Sequence, residues 1–362
     1  MSFRPITSRS AITTPNMILT NKPNEQQLIT LPKINIMTYN VNFGGVSWDG
    51  VANLGGQRAL QAIHEHSHEL DIVCLQETHQ GWEYALNHFK PTVSSSSITT
   101  TSVTTPSSLR SAFPHQYWDH TKTNHYLASG SAVLASRHFD LNVQMLESRV
   151  QGSFFDAMHI VVKDLRRRDF SSSTLQHEEI GISEMESNLE EHEDFMMEDD
   201  DSTATTSTAA SSPILQILNL HLRPPLSFDS SNFLDNAAAY LWKTTSVRRD
   251  EVKSYVEQAL QKHPNVPLIL LGDFNEKSSV GVLSSKDSFA KYLNELEYID
   301  ALQDATTWYW PLKGSFSLWG SYDHVFYRKQ EWKVEKQHIL QEYKECASDH
   351  LPCIVTLRKV NH

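Results

Sequence analysis

Short apolar runs bounded by polar residues recur along the chain and predict strands. They occupy residues 34–41, 71–76, 130–136, 154–162, 214–220, 267–271, 322–327 and 353–357. Apolar positions three or four residues apart predict helices at 57–69, 81–89, 247–261 and 287–296. This mixture predicts an α+β fold in which two packed sheets are covered by helices.

Two segments interrupt the pattern. Residues 92–111 are dominated by Ser and Thr, and residues 171–212 contain twelve acidic residues without Lys or Arg. Both are too poor in apolar residues to offset the entropy lost on ordering, so we interpret them as low-complexity insertions. Residues 1–32 are interpreted as a disordered tail. The rest, residues 33–360, is predicted to form a single domain.

The distribution of charge along the chain determines which classes of binding partner are compatible with the sequence. A net charge of −12 would oppose binding to nucleic acid if it were spread evenly. The acidic insertion carries twelve of the negative charges, so the remainder of the chain is neutral. The charge therefore excludes neither nucleic acid nor a smaller phosphoester. We interpret the insertion as a solvated loop of unknown partner, with the binding of a basic protein or of metal ions as the alternative.

Cysteine content and the terminal segment bear on the compartment. Cys74, Cys346 and Cys353 are too few for a disulfide framework, which favours the cytoplasm or nucleus. The first acidic residue is Glu25, and the preceding basic, Ser/Thr-rich segment leaves organelle import as an alternative. No apolar run reaches the roughly 20 residues needed to cross a bilayer, so no transmembrane segment is predicted.

Four short motifs place polar residues at or just after the ends of predicted strands, a fifth lies inside a predicted strand, and a sixth comes just before one. In chain order they are TYNV, LQET, NLHL, LGDFN, YDHV and SDHLP. Strand ends deliver side chains to the rim of a sheet, so these residues could meet in one cleft. Any single motif could instead be a turn or a helix cap. The complete ordered set is poorly explained by stability alone.

The residue types in these motifs suit phosphoester hydrolysis. Mg²⁺ binds one or two carboxylates and keeps several waters, which Glu77 and Asp349 could supply. An attacking water needs a base and an orienting acceptor, and His350 and Asp273 could provide them. Other side chains could donate to phosphoryl oxygens: Asn40, Asn275 and protonated His221.

The motifs, in this order from about residue 33 to 357, resemble the endonuclease/exonuclease/phosphatase superfamily, to which DNase I belongs. The resemblance implies a four-layered α/β/β/α sandwich with two mainly antiparallel sheets. It also implies a divalent-metal-dependent phosphoester hydrolase that uses Mg²⁺, with Mn²⁺ as the alternative. A water assisted by the metal would attack the phosphorus.

The resemblance further implies roles for individual residues. The expected metal site consists of Asn40, Glu77 and Asp349. The expected catalytic residues are His221, Asp273, Asn275, Asp323 and His350. Asp323 would hold His350, and either Asp273 or His350 would take the proton from water. Several members of the superfamily have an acid where this chain has Asn42, which leaves a second metal open.

The sequence constrains the substrate less tightly than it constrains the type of reaction. Besides Asn40, the candidate substrate contacts are Arg223, which could clamp a phosphate or form a surface salt bridge, and Trp308, which could stack on a base. Arg248 and Arg249 are predicted to face solvent on a helix, with a binding role as the alternative. A nucleic acid or nucleotide-like phosphodiester is the leading substrate. A lipid or inositol phosphoester is the alternative, as is an inactive scaffold that docks through its acidic insertion.

Overall fold

The computed structural model describes most of the predicted domain. It covers residues 32–91, 108–120, 130–151, 153, 155–166, 212–224, 233–278, 288–311, 317–344 and 348–360. Nearly all of the predicted tail and of the two predicted insertions lies outside these residues. The end of the first predicted insertion is described, and there Leu109 is buried in a short helix.

The described residues form two six-stranded sheets and one two-stranded sheet. The strands are β1 (Lys33–Asn40), β2 (Ile72–Thr78), β3 (His115–Asp119), β4 (Gly130–Ala135), β5 (Phe139–Leu146), β6 (Ala157–Asp164), β7 (Pro213–His221), β8 (Leu268–Asp273), β9 (Tyr298–Asp300), β10 (Trp308–Pro311), β11 (Ser317–Gly320), β12 (Asp323–Arg328), β13 (Trp332–Ile339) and β14 (Cys353–Lys359). The first sheet has the order β13-β14-β1-β2-β4-β3, and the second has the order β5-β6-β7-β8-β12-β9. Within these two sheets only β1–β2 and β7–β8 pair in parallel.

Helices cover the outer face of each sheet. They are α1 (Leu54–His66), α2 (Gln80–His88), α3 (Leu109–Ala112), α4 (Phe233–Lys262) and α5 (Phe289–Glu295), with short 3₁₀ turns at Phe43–Gly45 and Gln341–Tyr343. One apolar core lies between the two sheets and includes Ile36 and Ile217. A second core joins the first sheet to α1, and a third joins the second sheet to α4. Successive residues of β1 alternate between cores, because strand side chains point to opposite faces.

This arrangement confirms the predicted four-layered sandwich with mainly antiparallel sheets. All of the predicted strands and helices are present, with shifted ends. The strand predicted from residue 154 begins at Ala157, and the helix predicted from residue 247 begins at Phe233. Among the described ranges, no helix is long and apolar enough to cross a membrane.

Six strands have no predicted counterpart: β3, β5, β9, β10, β11 and β13. Most side chains of β5 and β13 are at least partly exposed, because these two strands form sheet edges. Such strands lack the apolar run on which the prediction depends. The strands β9, β10 and β11 have only three or four residues, which is too short for a periodic signal.

Candidate active site

Strand pairing in the second sheet brings three predicted catalytic residues side by side. His221 pairs with Asp273 across β7 and β8, and Asp273 pairs with Asp323 across β8 and β12. Residues directly opposite each other on neighbouring strands project from the same face of a sheet. The cluster is therefore a consequence of the strand register.

Gly272 allows β7 and β8 to approach closely before the site. Its φ is +125°, and a Cβ at this position would lie 2.0 Å from the carbonyl oxygen of Leu220. Only glycine accommodates both conditions. Gly272, the glycine of the GDFN motif, therefore allows the strand pairing that aligns His221 with Asp273.

His350 reaches the cluster from the segment that precedes β14. Its Nδ1 donates to Oδ2 of Asp323 at 2.8 Å, and its Nε2 lies 3.5 Å from Oδ2 of Asp273. Burial alone would lower the pKa of His350, but the nearby Asp323 and Asp273 outweigh it and raise the pKa well above its usual value. The two carboxylates therefore favour the imidazolium form of His350.

Oδ2 of Asp273 lies at the centre of the site, surrounded by polar side chains. It accepts hydrogen bonds from Nδ2 of Asn40 at 3.0 Å and from Nδ2 of Asn275 at 3.2 Å. It also lies within 3.8 Å of a ring nitrogen of both His221 and His350. Burial raises the pKa of Asp273, and the adjacent His350 opposes this effect.

Glu77 is delivered to the site by a distortion of β2. The pairing of β2 with β4 shifts register between Gln76 and Thr78, which leaves Glu77 as the extra residue, and its φ is +57°. Bulges and positive φ values at non-glycine residues re-aim side chains and concentrate at functional sites. Oε1 of Glu77 accepts from Nδ2 of Asn40 at 3.0 Å, and 23% of the Glu77 side chain remains exposed.

His221 is buried between Glu77 and Phe155. Its Nε2 lies 3.5 Å from Oε1 of Glu77, and its ring stacks on Phe155 with centroids 4.1 Å apart. Burial lowers the pKa of His221, and Nδ1 has no hydrogen-bond partner in the described part of the chain. This burial opposes the protonated form of His221 that was expected from the sequence. A neutral ring with its proton on Nε2 still provides a donor that faces the cleft.

Asp349 is held by two neutral donors. Its Oδ1 accepts from Nδ2 of Asn42 at 3.3 Å, and its Oδ2 accepts from the indole Nε1 of Trp308 at 2.7 Å. The Trp308 ring packs against Tyr322, with centroids 5.1 Å apart. The structure thus places Trp308 against a predicted metal ligand, and Asn42 occupies a similar supporting position.

Two groups of side chains in the described residues have ligand atoms close enough to share a cation. One comprises Glu77, His221 and Asp273, and the other comprises Asp273, Asp323 and His350. Asp349 belongs to neither group, although Asn40 and Asn42 connect it with Glu77. The partly exposed carboxylate of Glu77 offers oxygen at the open side of the cleft, where a hard cation could keep its waters. The donor set therefore fits Mg²⁺ better than a metal that prefers sulfur.

Three hydrogen bonds made by other residues of the same motifs support the site, and they were not predicted from the sequence. Nε2 of Gln76 donates to Oδ1 of Asn219 at 2.6 Å, which connects the two sheets through the core. The hydroxyl of Ser348 donates to the carbonyl of Asn40 at 2.5 Å and accepts from the backbone N–H of His350 at 3.0 Å. LQET, NLHL and SDHLP contain these residues, so their position beside the catalytic residues was an available signal.

Arg223 and Arg248 lie behind His221. Arg223 is partly buried directly after β7, and its carbonyl oxygen accepts from Nη1 of Arg248 at 3.2 Å. The Arg248 side chain is only 3% exposed, so the prediction that it faces solvent is wrong. Arg249 is partly exposed and pairs with Asp250.

The chain belongs to the Endonuclease/Exonuclease/phosphatase family, which it matches over residues 37–350. This membership confirms the resemblance seen in the motifs and supports phosphoester hydrolysis in general terms. No curated protein sequence matches the chain.

Solved structures are similar at low sequence identity. A conserved protein of unknown function from Enterococcus faecalis is 14% identical, with a TM-score of 0.50 and coverage of 90% of this chain and 100% of that one. The catalytic domain of human Nocturnin with a bound sulfate anion is 14% identical, with a TM-score of 0.49 and coverage of 91% and 96%. An endonuclease/exonuclease/phosphatase from Beutenbergia cavernae is 16% identical, with a TM-score of 0.49 and coverage of 90% and 72%.

Proposed function

We propose that this protein is a Mg²⁺-dependent phosphodiesterase that acts on nucleic acid or a nucleotide-like phosphodiester. The convergence on Oδ2 of Asp273 carries the proposal. Two amide donors and two histidine rings surround this oxygen within 3.8 Å, and Glu77 lies on the same side of the cleft. A stability role does not require so many polar groups around one buried carboxylate.

Glu77 would be the principal metal ligand, with Asp349 as the second carboxylate. When bound, Mg²⁺ would neutralise charge on the phosphoryl oxygens and make a water more acidic. Asn40 presents its amide nitrogen to Glu77 and Asp273, while its Oδ1 accepts from the backbone N–H of Asn42. In this arrangement Asn40 orients the carboxylates of Glu77 and Asp273. Asn42 donates its amide to Asp349 and brings no carboxylate of its own, which favours a single metal.

The proton from the attacking water would pass to the Asp273 carboxylate, because Asp323 and Asp273 favour the protonated form of His350. Asp273 and His350 lie 3.5 Å apart, and Asp323 fixes the His350 ring through Nδ1. The water oxygen would form the new bond to phosphorus, the ester P–O bond would break, and the leaving oxygen would take up a proton from solvent water. Such positioned proton transfer contributes about 100-fold or more to rate.

The phosphate would be held by neutral donors and Arg223. His221 offers its Nε2 proton, and Asn275 offers its side-chain amide beside Asp273. Trp319 lies on β11 with 49% of its surface exposed, and the ammonium of Lys344 lies 3.7 Å from its ring centroid. An exposed ring beside a cation suits a base and its phosphate, which favours nucleic acid over a lipid headgroup.

The test is hydrolysis of bis(p-nitrophenyl) phosphate with Mg²⁺ and with EDTA. His350→Ala and Asp273→Ala should each lower kcat by about 100-fold or more. Asp140→Ala is the control, because this half-exposed residue of β5 pairs only weakly with Lys163 at 3.9 Å. Equal turnover in EDTA, or in His350→Ala, would refute the proposed chemistry.

Substrate class is tested by a direct panel. Purified protein should turn over single-stranded DNA, duplex DNA or RNA faster than sphingomyelin or inositol phosphates. Trp319→Ala should raise KM for the oligonucleotide and leave kcat for bis(p-nitrophenyl) phosphate unchanged. Preference for either of the last two substrates would overturn the nucleic acid assignment and leave the hydrolase assignment intact.

A further inference from the structure

Arg248 binds three separate groups beside the site. From its buried position on α4, Nε donates to Oε2 of Glu276 at 2.7 Å. Nη1 donates to the carbonyl oxygen of Arg223 at 3.2 Å, and Nη2 donates to Oγ1 of Thr245 at 3.2 Å. A planar guanidinium can satisfy three acceptors in different directions, whereas a lysine ammonium is a single point.

Two of these acceptors belong to the segments that leave the catalytic strands. Arg223 follows Leu222 after β7, and Glu276 follows Asn275 after β8. The preceding residue of each segment is already joined to the other, since Nδ2 of Asn275 donates to the carbonyl of Leu222 at 2.9 Å. Arg248 therefore provides a second connection between the two segments, because it binds the next residue of each, Arg223 and Glu276.

Helix α4 fixes the segment after β7 through both backbone groups of one residue. Arg248 binds the carbonyl of Arg223, and Glu251, one turn later, accepts a hydrogen bond from the Arg223 N–H. Both residues are at most 2% exposed. Buried hydrogen bonds of this kind confine the backbone, because breaking one leaves a polar group unsatisfied.

Asn275 depends on its surroundings for its conformation. Its φ is +52°, in the left-handed region that non-glycine residues adopt at an energetic cost. Its side-chain amide is divided between the Leu222 carbonyl and Oδ2 of Asp273. A displacement of the 222–223 backbone would remove one of these contacts and let the amide rotate.

We infer that Arg248 is a positioning residue for Asn275. By holding the Arg223 carbonyl against Glu276, it keeps the Leu222 carbonyl where the Asn275 amide can bind it. The amide is then oriented beside Asp273 before substrate arrives. This inference rests on the proposed function, in which Asn275 contacts the phosphate.

The kinetic test compares Arg248→Lys with Arg166→Lys. Arg166 also makes a two-point ion pair, to Asp164 at 2.9 and 2.8 Å, but it follows the end of β6 that pairs with the start of β7, away from His221. Arg248→Lys should lower kcat for bis(p-nitrophenyl) phosphate by about tenfold to 100-fold, because small misplacements of positioning groups cost rate. Arg166→Lys should lose stability without losing kcat.

A double-mutant cycle shows whether Arg248 acts through Asn275. If it does, Arg248→Lys should cost less than about twofold in an Asn275→Ala background, since coupled residues are not additive. Losses that multiply would overturn the inference. An unchanged kcat in Arg248→Lys alone would also overturn it.

A second readout does not depend on turnover. The side-chain amide resonances of Asn275 can be assigned in ¹⁵N-labelled protein by their loss in Asn275→Ala. Arg248→Lys should shift or broaden them, and Arg166→Lys should not. If the wild type hydrolysed nothing, the proposed function would fail, but the positioning role of Arg248 would still be tested by the amide signals. If the Asn275 amide signals were unchanged in Arg248→Lys, the positioning role would be overturned.

Discussion

Replacing Glu251 by Gln is expected to stabilise the protein at alkaline pH. Glu251 is 1% exposed and accepts hydrogen bonds from the Ser153 hydroxyl and the Arg223 backbone. Burial raises the pKa of its carboxyl to about 7, although these hydrogen bonds and the charges of Arg248 and Arg223 act in the opposite direction. Gln keeps the size and an acceptor oxygen, so the variant removes mainly the charge.

The size of the effect follows from the two pKa values of Glu251. The pKa rises from an ordinary 4.5 to about 7 on folding. The folded state therefore binds the proton more tightly, and stability is greatest below pH 4.5 and falls as the pH rises through 7. At about 1.4 kcal/mol per pH unit, the complete loss is about 3 kcal/mol, of which about 2.5 kcal/mol falls between pH 5 and pH 8.

Urea unfolding followed by tryptophan fluorescence at pH 5 and pH 8 measures this difference. The free energy of unfolding of wild type should fall more steeply with pH than that of Glu251→Gln, by about 2.5 kcal/mol over the interval. Glu257→Gln on the same helix is the control, because 63% of that side chain is exposed. Parallel pH profiles for wild type and Glu251→Gln would show that the folded protein does not penalise the charge.

Three further changes test other parts of the structure. Burial lowers the pKa of His159 from 6.5 to about 4. Its stabilising contribution of about 3 kcal/mol is therefore present above pH 6.5 and is lost as the pH falls through 4. In urea unfolding, His159→Gln should lose less stability than wild type when the pH is lowered. Gly272→Ala should lower the free energy of unfolding by at least about 2 kcal/mol, because its Cβ would meet the Leu220 carbonyl at 2.0 Å, and a smaller loss in urea titration would contradict the close-approach argument. Asp323→Asn removes the charge that His350 binds at 2.8 Å, and steady-state assays should show kcat reduced by about 100-fold; unchanged kcat would exclude a role for that charge.

Sequence patterns predicted the fold and named the candidate site residues, but they did not predict the contacts between those residues. Apolar runs located the central strands, because these are buried on both faces and show a strong signal. Edge strands and pairing register depend on tertiary neighbours, which local patterns do not contain. The motifs placed Asp273 and His350 in the same list, but only the three-dimensional structure shows that one oxygen of Asp273 lies within 3.8 Å of a ring nitrogen of both His221 and His350.

The assignments of Trp308 and Arg248 depend on three-dimensional context in the same way. An aromatic residue near a site predicts stacking, but the direction of its N–H decides whether it serves a substrate or a carboxylate. In the structure, the indole nitrogen donates to Asp349. A helical arginine pair predicts a solvated surface, but helix periodicity sends Arg248 inward and Arg249 partly outward.

The two parallel strand pairs explain why the site forms at one end of the sandwich. Parallel neighbours bring their carboxyl ends to the same rim, whereas antiparallel neighbours bring opposite ends together. In the two large sheets of the described chain, only β1–β2 and β7–β8 are parallel, and their carboxyl ends carry Asn40 with Glu77 and His221 with Asp273. The Gln76–Asn219 hydrogen bond joins one pair to the other through the core. The polar side chains of the cleft therefore come from the two places in the large sheets where parallel neighbours end together, and the antiparallel β12 adds Asp323 at its start.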